Sequence, residues 1–199
     1  MCGFVGIVSE NSSSDEKLKK ALDYISYRGP DSSGIYKDQK IKLGFNRLSI
    51  QDISNAGDQP MKSQCDRFVI VFNGEIYNYQ ELKIKLNKKN DIKWNSTGDT
   101  EVLLNCIKYM GLRETLDVIE GMFSFALLDK LKKKVFLCRD HFGQKPLFYS
   151  IDNINGKKRI LFASEAKAFL AYKNLQVDRR KAIPSLFMTG IPLEGSIFK

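Results

Sequence analysis

The sequence contains a single histidine, His141, among 199 residues. A Cys-His pair or a Ser-His-Asp triad would have to use this residue, which lies in "RDHFGQKP", a stretch typical of a turn. We therefore expect His141 to be structural or exposed to solvent. Cys138 and His141 have a C-x-x-H spacing, but no second close pair completes four ligands, so no metal site is expected.

Cysteine and long hydrophobic runs are also scarce. The four cysteines are too few and too scattered for a disulfide framework, which is typical of a reducing compartment; they are Cys2, Cys65, Cys106 and Cys138. The apolar stretch from Met1 to Val8 is too short to cross a membrane and lacks the flanks of a signal peptide. A cytoplasmic protein without membrane attachment is expected.

Basic residues outnumber acidic ones, and the net charge is +9. The lysines concentrate in residues 83–93, 130–134 and 157–159, stretches that predict helix surface and hairpin turns. No helix-turn-helix, zinc-finger or stacking-platform pattern accompanies them, so a solvated face is favoured over a nucleic-acid partner. The hydrophobic content of 43% is sufficient for one compact domain over residues 1–199.

The spacing of apolar residues predicts the first elements. Cys2 to Val8 predicts a buried strand, and Ser13 with Glu16 forms a capping box for a helix from about Ser14 to Ile25. "YRGPDSSG" predicts a structured turn, and "GIYK" and "IKLGF" predict two short strands. Residues 51–64 predict a polar loop.

The middle of the chain continues this alternation of strands and helices. "RFVIVFNGEIYN" predicts a strand that changes into a helix at Asn73 to Tyr77. Residues 102–110 predict a further helix, for which Thr97 and Asp99 are candidate caps. "MFSFALLD" with "VFLCRD", and "PLFYSI" with "RILFAS", predict two antiparallel hairpins. Because these runs are apolar on both faces, we expect sheets covered on both sides.

Cys2 directly follows the initiating methionine. If Met1 is removed, Cys2 carries a thiol with a reference pKa of about 8.5 and an α-amine with a reference pKa of about 7.7 to 8.0. The amine can take the thiol proton directly or through one water, as an N-terminal threonine does. From its position alone, however, the favoured interpretation of Cys2 is a small core residue at the start of a strand.

Eight motifs favour the nucleophile. They are "MCGFVGI", "YRGPDSSG", "NRLSIQD", "FNGEIYN", "STGDTEVLL", "GMFSFALLD", "RDHFGQKPLFY" and "FASEAKAF". In this order they resemble the class II glutamine amidotransferase domain of asparagine synthetases, over nearly the whole chain. The resemblance implies the α+β fold of an N-terminal nucleophile hydrolase, a four-layer αββα sandwich of two antiparallel sheets.

The resemblance also implies roles for individual residues. Cys2 corresponds to the nucleophile that attacks the side-chain amide of glutamine. The side chain of Asn73 and the backbone N–H of Gly74 correspond to the oxyanion donors. Arg47 corresponds to the residue that binds the substrate α-carboxylate, and Asp99 to the residue that binds its α-ammonium group.

Further residues line the site by the same analogy. They are Glu75 and the segment Leu48, Ser49, Ile50 and Gln51. Taken singly, Asp99 could be a helix cap, Arg47 a surface ion pair and Glu75 a solvated charge. Their joint placement inside matching motifs favours a binding site.

The resemblance implies a glutaminase with L-glutamine as substrate, which supplies ammonia to an ATP-dependent synthetase domain. No "SGG"-type phosphate loop occurs here, so we expect that C-terminal domain to be missing from residues 1–199. ATP and Mg²⁺ are expected for that domain alone, with no cofactor for the glutaminase step and a homodimer allowed. The alternatives are a relative that amidates sugars or secondary metabolites, and a non-catalytic regulatory domain. Two family histidines are replaced by Tyr27 and Asn46, for which altered packing is expected.

Overall fold

A computed structural model describes residues 1–10, 14–180 and 182. Ser13, the first residue of the predicted capping box, and the C-terminal "TGIPLEGSIFK" lie outside the described residues. The first helix, α1 (Asp15–Tyr24), is capped by Ser14, whose Oγ accepts a hydrogen bond from the Glu16 N–H at 3.2 Å. The predicted helix is therefore present, with its cap provided by Ser14.

Nine described strands form two antiparallel sheets. Sheet A has the order β2-β3-β1-β9-β8, and its strands are β1 (Gly3–Ser9), β2 (Ser32–Lys37), β3 (Ile41–Arg47), β8 (Phe148–Ile154) and β9 (Lys157–Ala163). Sheet B has the order β4-β5-β6-β7, and its strands are β4 (Met61–Lys62), β5 (Phe68–Ile76), β6 (Gly121–Asp129) and β7 (Lys134–Arg139). The remaining helices are α2 (Tyr79–Asn87), α3 (Asp99–Met110) and α4 (Leu112–Val118).

The two sheets pack face to face, as the alternation of side chains along each strand requires. One buried cluster lies between them; it consists of Phe4, Ile41, Leu43, Phe45, Val69, Val71, Ala126, Leu128 and Phe162. The opposite face of sheet A packs on α1 and on the 3₁₀ segment Ala166–Ala171, and the opposite face of sheet B packs on α2 and α3. The layer order is helix, sheet, sheet, helix, as predicted.

Three expectations about the elements were wrong in detail. Strand β5 continues through Ile76, so the predicted transition to helix lies further along the chain, at α2. The N-cap of α3 is Gly98, which makes Asp99 the first helical residue and leaves Thr97 outside the helix. Strand β8 is not covered on both faces, because it is the edge strand of sheet A and exposes Tyr149 and Ile151.

The four cysteines are free thiols, as expected. His141 is exposed in the turn after β7. Within residues 1–10, 14–180 and 182, no cluster of three or more His, Cys, Asp or Glu side chains could hold a metal ion. None of the helices described here has both the length and the apolar character needed to cross a membrane.

Candidate active site

The candidate site continues the core between the two sheets. Side chains two residues apart share one face of a strand, so Cys2 follows the inward row of Phe4, and Arg47 follows that of Phe45. On sheet B, Asn73 follows the inward row of Val71. At one end of the interface between the two sheets, which we call the seam, the inward-facing side chains are therefore polar instead of apolar. A cavity of about 130 Å³ lies there.

Nearly all the predicted site residues line this cavity. Those that do are Cys2, Arg47, Leu48, Ile50, Gln51, Asn73, Gly74, Glu75 and Asp99. Ser49 lies in the same segment but is not among the lining residues, and its backbone N–H donates to Asp31 Oδ2 at 2.7 Å. The motifs that suggested the site are thus brought together from β1, β3, β5 and the start of α3.

The thiol of Cys2 is held against the chain that follows β3. Its Sγ accepts from the Leu48 N–H at 3.4 Å and donates to the Leu48 carbonyl at 3.6 Å. Burial raises the pKa of Cys2, while the contact with Leu48, the N-terminal amine and Arg47 act in the opposite direction. Since the balance favours the neutral thiol, a thiolate nucleophile requires a nearby group that accepts its proton.

Asn73 presents a donor to the same cavity. Its side chain is 1% exposed, and its Nδ2 is buried without a hydrogen-bond partner among the described residues. An unpaired buried amide is costly, so native structures retain such groups mainly where a ligand or water completes them. This N–H group is available to a negative charge that develops beside Cys2.

Gly74 lies in the part of β5 that pairs with β6 on one side and, among the described strands, has no neighbour on the other. Strand β4 pairs only as far as Ile70, and side chains then bind the exposed edge of β5. The Phe72 N–H donates to Gln59 Oε1 at 2.6 Å, and the Ile76 N–H donates to an Asp99 carboxylate oxygen at 2.8 Å. Because N–H groups two residues apart point the same way, the Gly74 N–H between them points from this uncovered edge.

Arg47 is buried, and part of its guanidinium group is hydrogen-bonded to the loop that follows β3. Nη1 donates to the Ser54 carbonyl at 2.8 Å and to Asp58 Oδ1 at 2.9 Å, and Nη2 donates to the Asp52 carbonyl. Its Nε and one N–H of Nη2 keep no partner among the described residues. These two adjacent donors can hold a carboxylate side-on, whereas the full guanidinium fork is not free.

Asp99 is the buried anion of the site. Burial raises its pKa to about 6, the hydrogen bond from the Ile76 N–H opposes this, and the negative charge of Glu75 adds to it. Gln51 joins the Glu75 carboxylate to the start of α3, because its Nε2 donates to Glu75 Oε1 at 3.4 Å and its Oε1 accepts from the Asp99 backbone N–H at 3.3 Å. Two neighbouring carboxylates in a partly closed cavity favour a cationic ligand group.

Ten of the lining residues were not predicted from the sequence, and Asp52, Gln59 and Lys145 are among them. Asp52 binds Ser96 Oγ at 2.7 Å and the Thr97 N–H at 2.8 Å, and so ties the loop after β3 to the segment before α3. These bonds and those from Ser54 hold the pKa of Asp52 well below its usual range. Gln59 and Lys145 line the same cavity. Asp52 and Lys145 lie inside "NRLSIQD" and "RDHFGQKPLFY", which was the only signal available.

The two positions that depart from the family pattern lie beside the site without lining it. Asn46 Nδ2 donates to the Leu22 carbonyl at 2.9 Å and so joins β3 to α1. Tyr27 donates through its hydroxyl to Glu165 Oε1, which also accepts from Arg28 Nη1 at 2.8 Å. Asn46 thus joins two elements of the fold, whereas Tyr27 is exposed and takes part in a surface hydrogen-bond network. That these replacements leave activity intact stays a prediction.

Comparison with known proteins agrees with this geometry. A sequence model described as a glutamine amidotransferase domain matches residues 1–199. The chain belongs to this family. Glutamine-hydrolysing asparagine synthetase 2 of Bacillus subtilis is 39% identical to this amidotransferase domain over 197 residues, which cover 96% of this chain and 25% of the relative.

Asparagine synthetase B of Escherichia coli K12 is 38% identical over 173 residues, which cover 85% of this amidotransferase domain and 30% of the relative. The chain thus spans between a quarter and a third of the length of these two curated relatives. The resemblance to the glutamine-hydrolysing domain of asparagine synthetases is confirmed.

A solved structure supports the fold of this amidotransferase domain. Glutamine phosphoribosylpyrophosphate amidotransferase from B. subtilis, in complex with ADP and GMP, superimposes with a TM-score of 0.71. The match has 21% sequence identity and covers 85% of this chain and 43% of that chain. The prediction of an α+β sandwich of the N-terminal nucleophile hydrolase type is confirmed.

Proposed function

We propose that this amidotransferase domain hydrolyses L-glutamine to glutamate and ammonia through a γ-glutamyl thioester on Cys2. The observation that carries the proposal is the buried Asn73 Nδ2, a donor without a partner in the cavity that Cys2 also lines. A preorganised donor of this kind stabilises the oxyanion of acyl transfer, and its loss costs about a hundredfold to a thousandfold in rate.

The first half of the reaction forms the thioester. After Met1 is removed, the Cys2 α-amine takes the thiol proton, and sulfur attacks the side-chain carbonyl carbon of glutamine. The carbonyl oxygen becomes an oxyanion that accepts from Asn73 Nδ2 and the Gly74 N–H. When the intermediate collapses, the carbon–nitrogen bond breaks, and the protonated α-amine of Cys2 gives its proton to the nitrogen that leaves as ammonia.

The second half restores the enzyme. The neutral α-amine takes a proton from water, and the resulting hydroxide attacks the thioester carbonyl while the same two donors hold the oxyanion. The carbon–sulfur bond then breaks, glutamate leaves, and sulfur regains its proton. Throughout, Arg47 binds the substrate α-carboxylate, and Asp99 with Glu75 binds the α-ammonium group.

The ammonia has a further destination in this proposal. Because the similar relatives are named asparagine synthetases, we place an ATP-dependent synthetase domain beside this one, on the same or another chain, as the ammonia acceptor. ATP and Mg²⁺ would serve that domain, and no residue of this chain is assigned to them. A cytoplasmic location and a homodimer belong to the same proposal.

Substitution of the nucleophile tests the glutaminase reaction. Cys2→Ala should abolish glutamate release and keep the thermal unfolding temperature, whereas Cys65→Ala, at an exposed free thiol, should leave both unchanged. A glutamine-like diazoketone should label Cys2 and spare Cys65, Cys106 and Cys138 in peptide mapping. Near wild-type turnover by Cys2→Ala, or an adduct elsewhere, would contradict the mechanism.

The N-terminus provides a second test. Active protein should lack Met1 by mass spectrometry, because retained Met1 converts the Cys2 amine to an amide that cannot accept a proton. A form with an uncleaved N-terminal tag should have little or no glutaminase activity. If the tagged chain hydrolyses glutamine as fast as the processed one, the base must lie elsewhere.

A further inference from the structure

Lys145 lies in the wall of the cavity and is 7% exposed. Its backbone is fixed in the turn after β7, because its N–H donates to Asp140 Oδ2 at 3.1 Å and its carbonyl accepts from Arg139 Nε at 2.8 Å. Asp140 also accepts from the backbone N–H groups of Phe142 and Gln144. A rigid turn therefore sets where the Lys145 side chain enters the site.

The buried amine of Lys145 has a weak partner. Its Nζ contacts Met1 Sδ at 3.5 Å, and a thioether is a poor hydrogen-bond acceptor. Over the described part of the chain, Lys145 takes part in none of the ion pairs. A buried cation without a carboxylate is costly, so its retention in a cavity wall calls for a role.

The other charges around Cys2 are compensated differently. Arg28 donates from Nε to the Cys2 carbonyl at 2.9 Å and is paired with Glu165, and Arg47 is paired with Asp58. Three carboxylates line the cavity, and one of them, Asp52, is held by Ser54, Ser96 and the Thr97 N–H. In the proposed function the other two, Glu75 on β5 and Asp99 at the start of α3, bind the substrate ammonium group. Among the described residues that line the cavity, Lys145 is the basic side chain without an acidic partner.

Removal of Met1 changes what Lys145 faces. Only the side chain and backbone carbons of Met1 separate its sulfur from the Cys2 nitrogen, so Nζ lies within about 10 Å of that nitrogen. The processed Cys2 would carry an α-amine at this nitrogen, and a cation so close in a partly closed cavity opposes the protonation of that amine. Only an uncharged amine can take the thiol proton.

We propose that Lys145 is a positioning residue of the glutaminase reaction, whose buried cation keeps the Cys2 α-amine uncharged once Met1 has been removed. The inference rests on the proposed function, in which that amine is the base. The inference adds to the proposed function a residue that keeps the base uncharged before glutamine binds. Lys145 itself touches neither the reacting carbonyl nor the leaving ammonia in this role.

The test compares three variants of the processed chain. Lys145→Met removes the charge and keeps an unbranched side chain, Lys145→Arg keeps the charge, and Lys157→Met removes a charge from the exposed β8–β9 hairpin. In Lys145→Met the acid limb of the kcat profile should move to higher pH by about one pH unit, about tenfold in rate on that limb. Its kcat at pH 9 and its KM for glutamine should match wild type.

Lys145→Arg and Lys157→Met should both follow the wild-type profile. An equal loss of kcat at every pH in Lys145→Met, or a profile superimposed on wild type, would overturn the proposal. A raised KM with an unchanged kcat profile would instead make Lys145 a substrate-binding group, and would overturn it too. Thermal unfolding of each variant verifies that the fold is intact.

A direct titration separates this inference from the proposed function. With ¹³C-labelled cysteine, the Cys2 resonances report the protonation of its own α-amine by NMR, without any turnover. The apparent pKa of that amine should be about one pH unit higher in Lys145→Met than in wild type, and an unchanged value would overturn the proposal. If wild type hydrolyses no glutamine, the proposed function fails, while this titration still decides the role of Lys145.

Discussion

At the scale of single residues, Asp99 links the binding of substrate to the stability of the fold. Burial raises its pKa to about 6, above the value of 3.8 that an exposed aspartate has. The stability that the protonated form contributes is fully present below the unfolded-state pKa and is lost as pH rises through about 6. At neutral pH the fold therefore holds a destabilising charge that a cationic ligand can compensate.

Asp99→Asn should separate these two effects. At pH 7 the variant should unfold with a free energy higher by about 1 to 3 kcal/mol, since no buried charge is present, and its KM for glutamine should rise at least tenfold. Denaturant unfolding and steady-state kinetics measure both. Asp91→Asn, at an exposed aspartate, is the matched control and should change neither. An unchanged KM in Asp99→Asn would place the substrate ammonium group elsewhere.

The same carboxyl group predicts a pH dependence of binding. As pH falls through about 6, Asp99 gains a proton and loses its attraction for the substrate ammonium group, so KM should rise by up to tenfold for each further pH unit. This appears as a rise of KM on the acid side. In Asp99→Asn that rise should be absent, while the acid limb of kcat set by the Cys2 α-amine should remain. A persistent rise of KM would assign the titration to another group.

At the scale of elements, the short strand β4 leaves β5 to be completed by a side chain. Gln59 binds both backbone groups of Phe72, its Oε1 accepting from the N–H at 2.6 Å and its Nε2 donating to the carbonyl at 3.3 Å. One glutamine thus takes the place of a strand residue. The next residues of β5 are Asn73 and Gly74, so the position of these proposed oxyanion donors depends on this side chain.

Gln59→Ala should therefore weaken both the fold and the reaction. Removal of the amide leaves the Phe72 N–H and carbonyl unpaired in a buried place, at a cost of about 1 to 3 kcal/mol in unfolding free energy. The kcat should fall about tenfold or more, with a smaller change in KM. Gln64→Ala, at an exposed glutamine on the other side of β4, should keep both values. If Gln59→Ala lost stability and kept kcat, the donors would be positioned independently of Gln59.

The elements that could be predicted from the sequence are those with a regular apolar period. Strand β1, helix α1 and both hairpins follow from spacings of two and of three to four residues. The two-residue strand β4 and the helix α4 were not predicted, because neither is long enough to show a period. Gly98 was missed as a cap since it has no side chain, and the two neighbours Thr97 and Asp99 are better caps by composition.

At the scale of the whole molecule, the core between the sheets sets the distance across the site. Phe162 on β9 is fully buried in this core and lies over Gly6, where an added Cβ would lie 2.1 Å from its ring. Cys2 and Asn73 are on opposite sheets at the end of the same core. Packing near Phe162 therefore affects the separation of Cys2, the proposed nucleophile, from Asn73, the proposed oxyanion donor.

Phe162→Ala should lower the unfolding free energy by about 3 to 5 kcal/mol, through lost burial and the cavity that remains. Because the sheets can relax into that cavity, kcat should fall while the variant is still folded. Tyr149→Ala is the matched control, since Tyr149 pairs with Phe162 in register and is 67% exposed. It should change stability by less than about 1 kcal/mol. A normal kcat in folded Phe162→Ala would show that the site tolerates a change in sheet packing.

The motifs could predict which residues form the site, and the structure brings most of them to one cavity. Ser49 is the exception: it lies beyond the end of β3, its backbone N–H donates to Asp31 Oδ2, and it is not among the lining residues. Sequence alone could not assign the cavity to the seam between two sheets, since no local pattern specifies how distant strands pack. For the same reason Gln59 and Lys145, which act through contacts distant in sequence, were not predicted.

Because the site is divided between two sheets, a molecule bound in it can stabilise the packing of one sheet on the other. A stable acyl group on Cys2 that accepts from Asn73 would connect sheet A to sheet B at the open end of their seam. By mass action, any ligand that binds only the closed form shifts the opening equilibrium of the two sheets. Amide hydrogen exchange along β1 and β5 should therefore slow together on acylation of Cys2, even though no backbone hydrogen bond joins those strands.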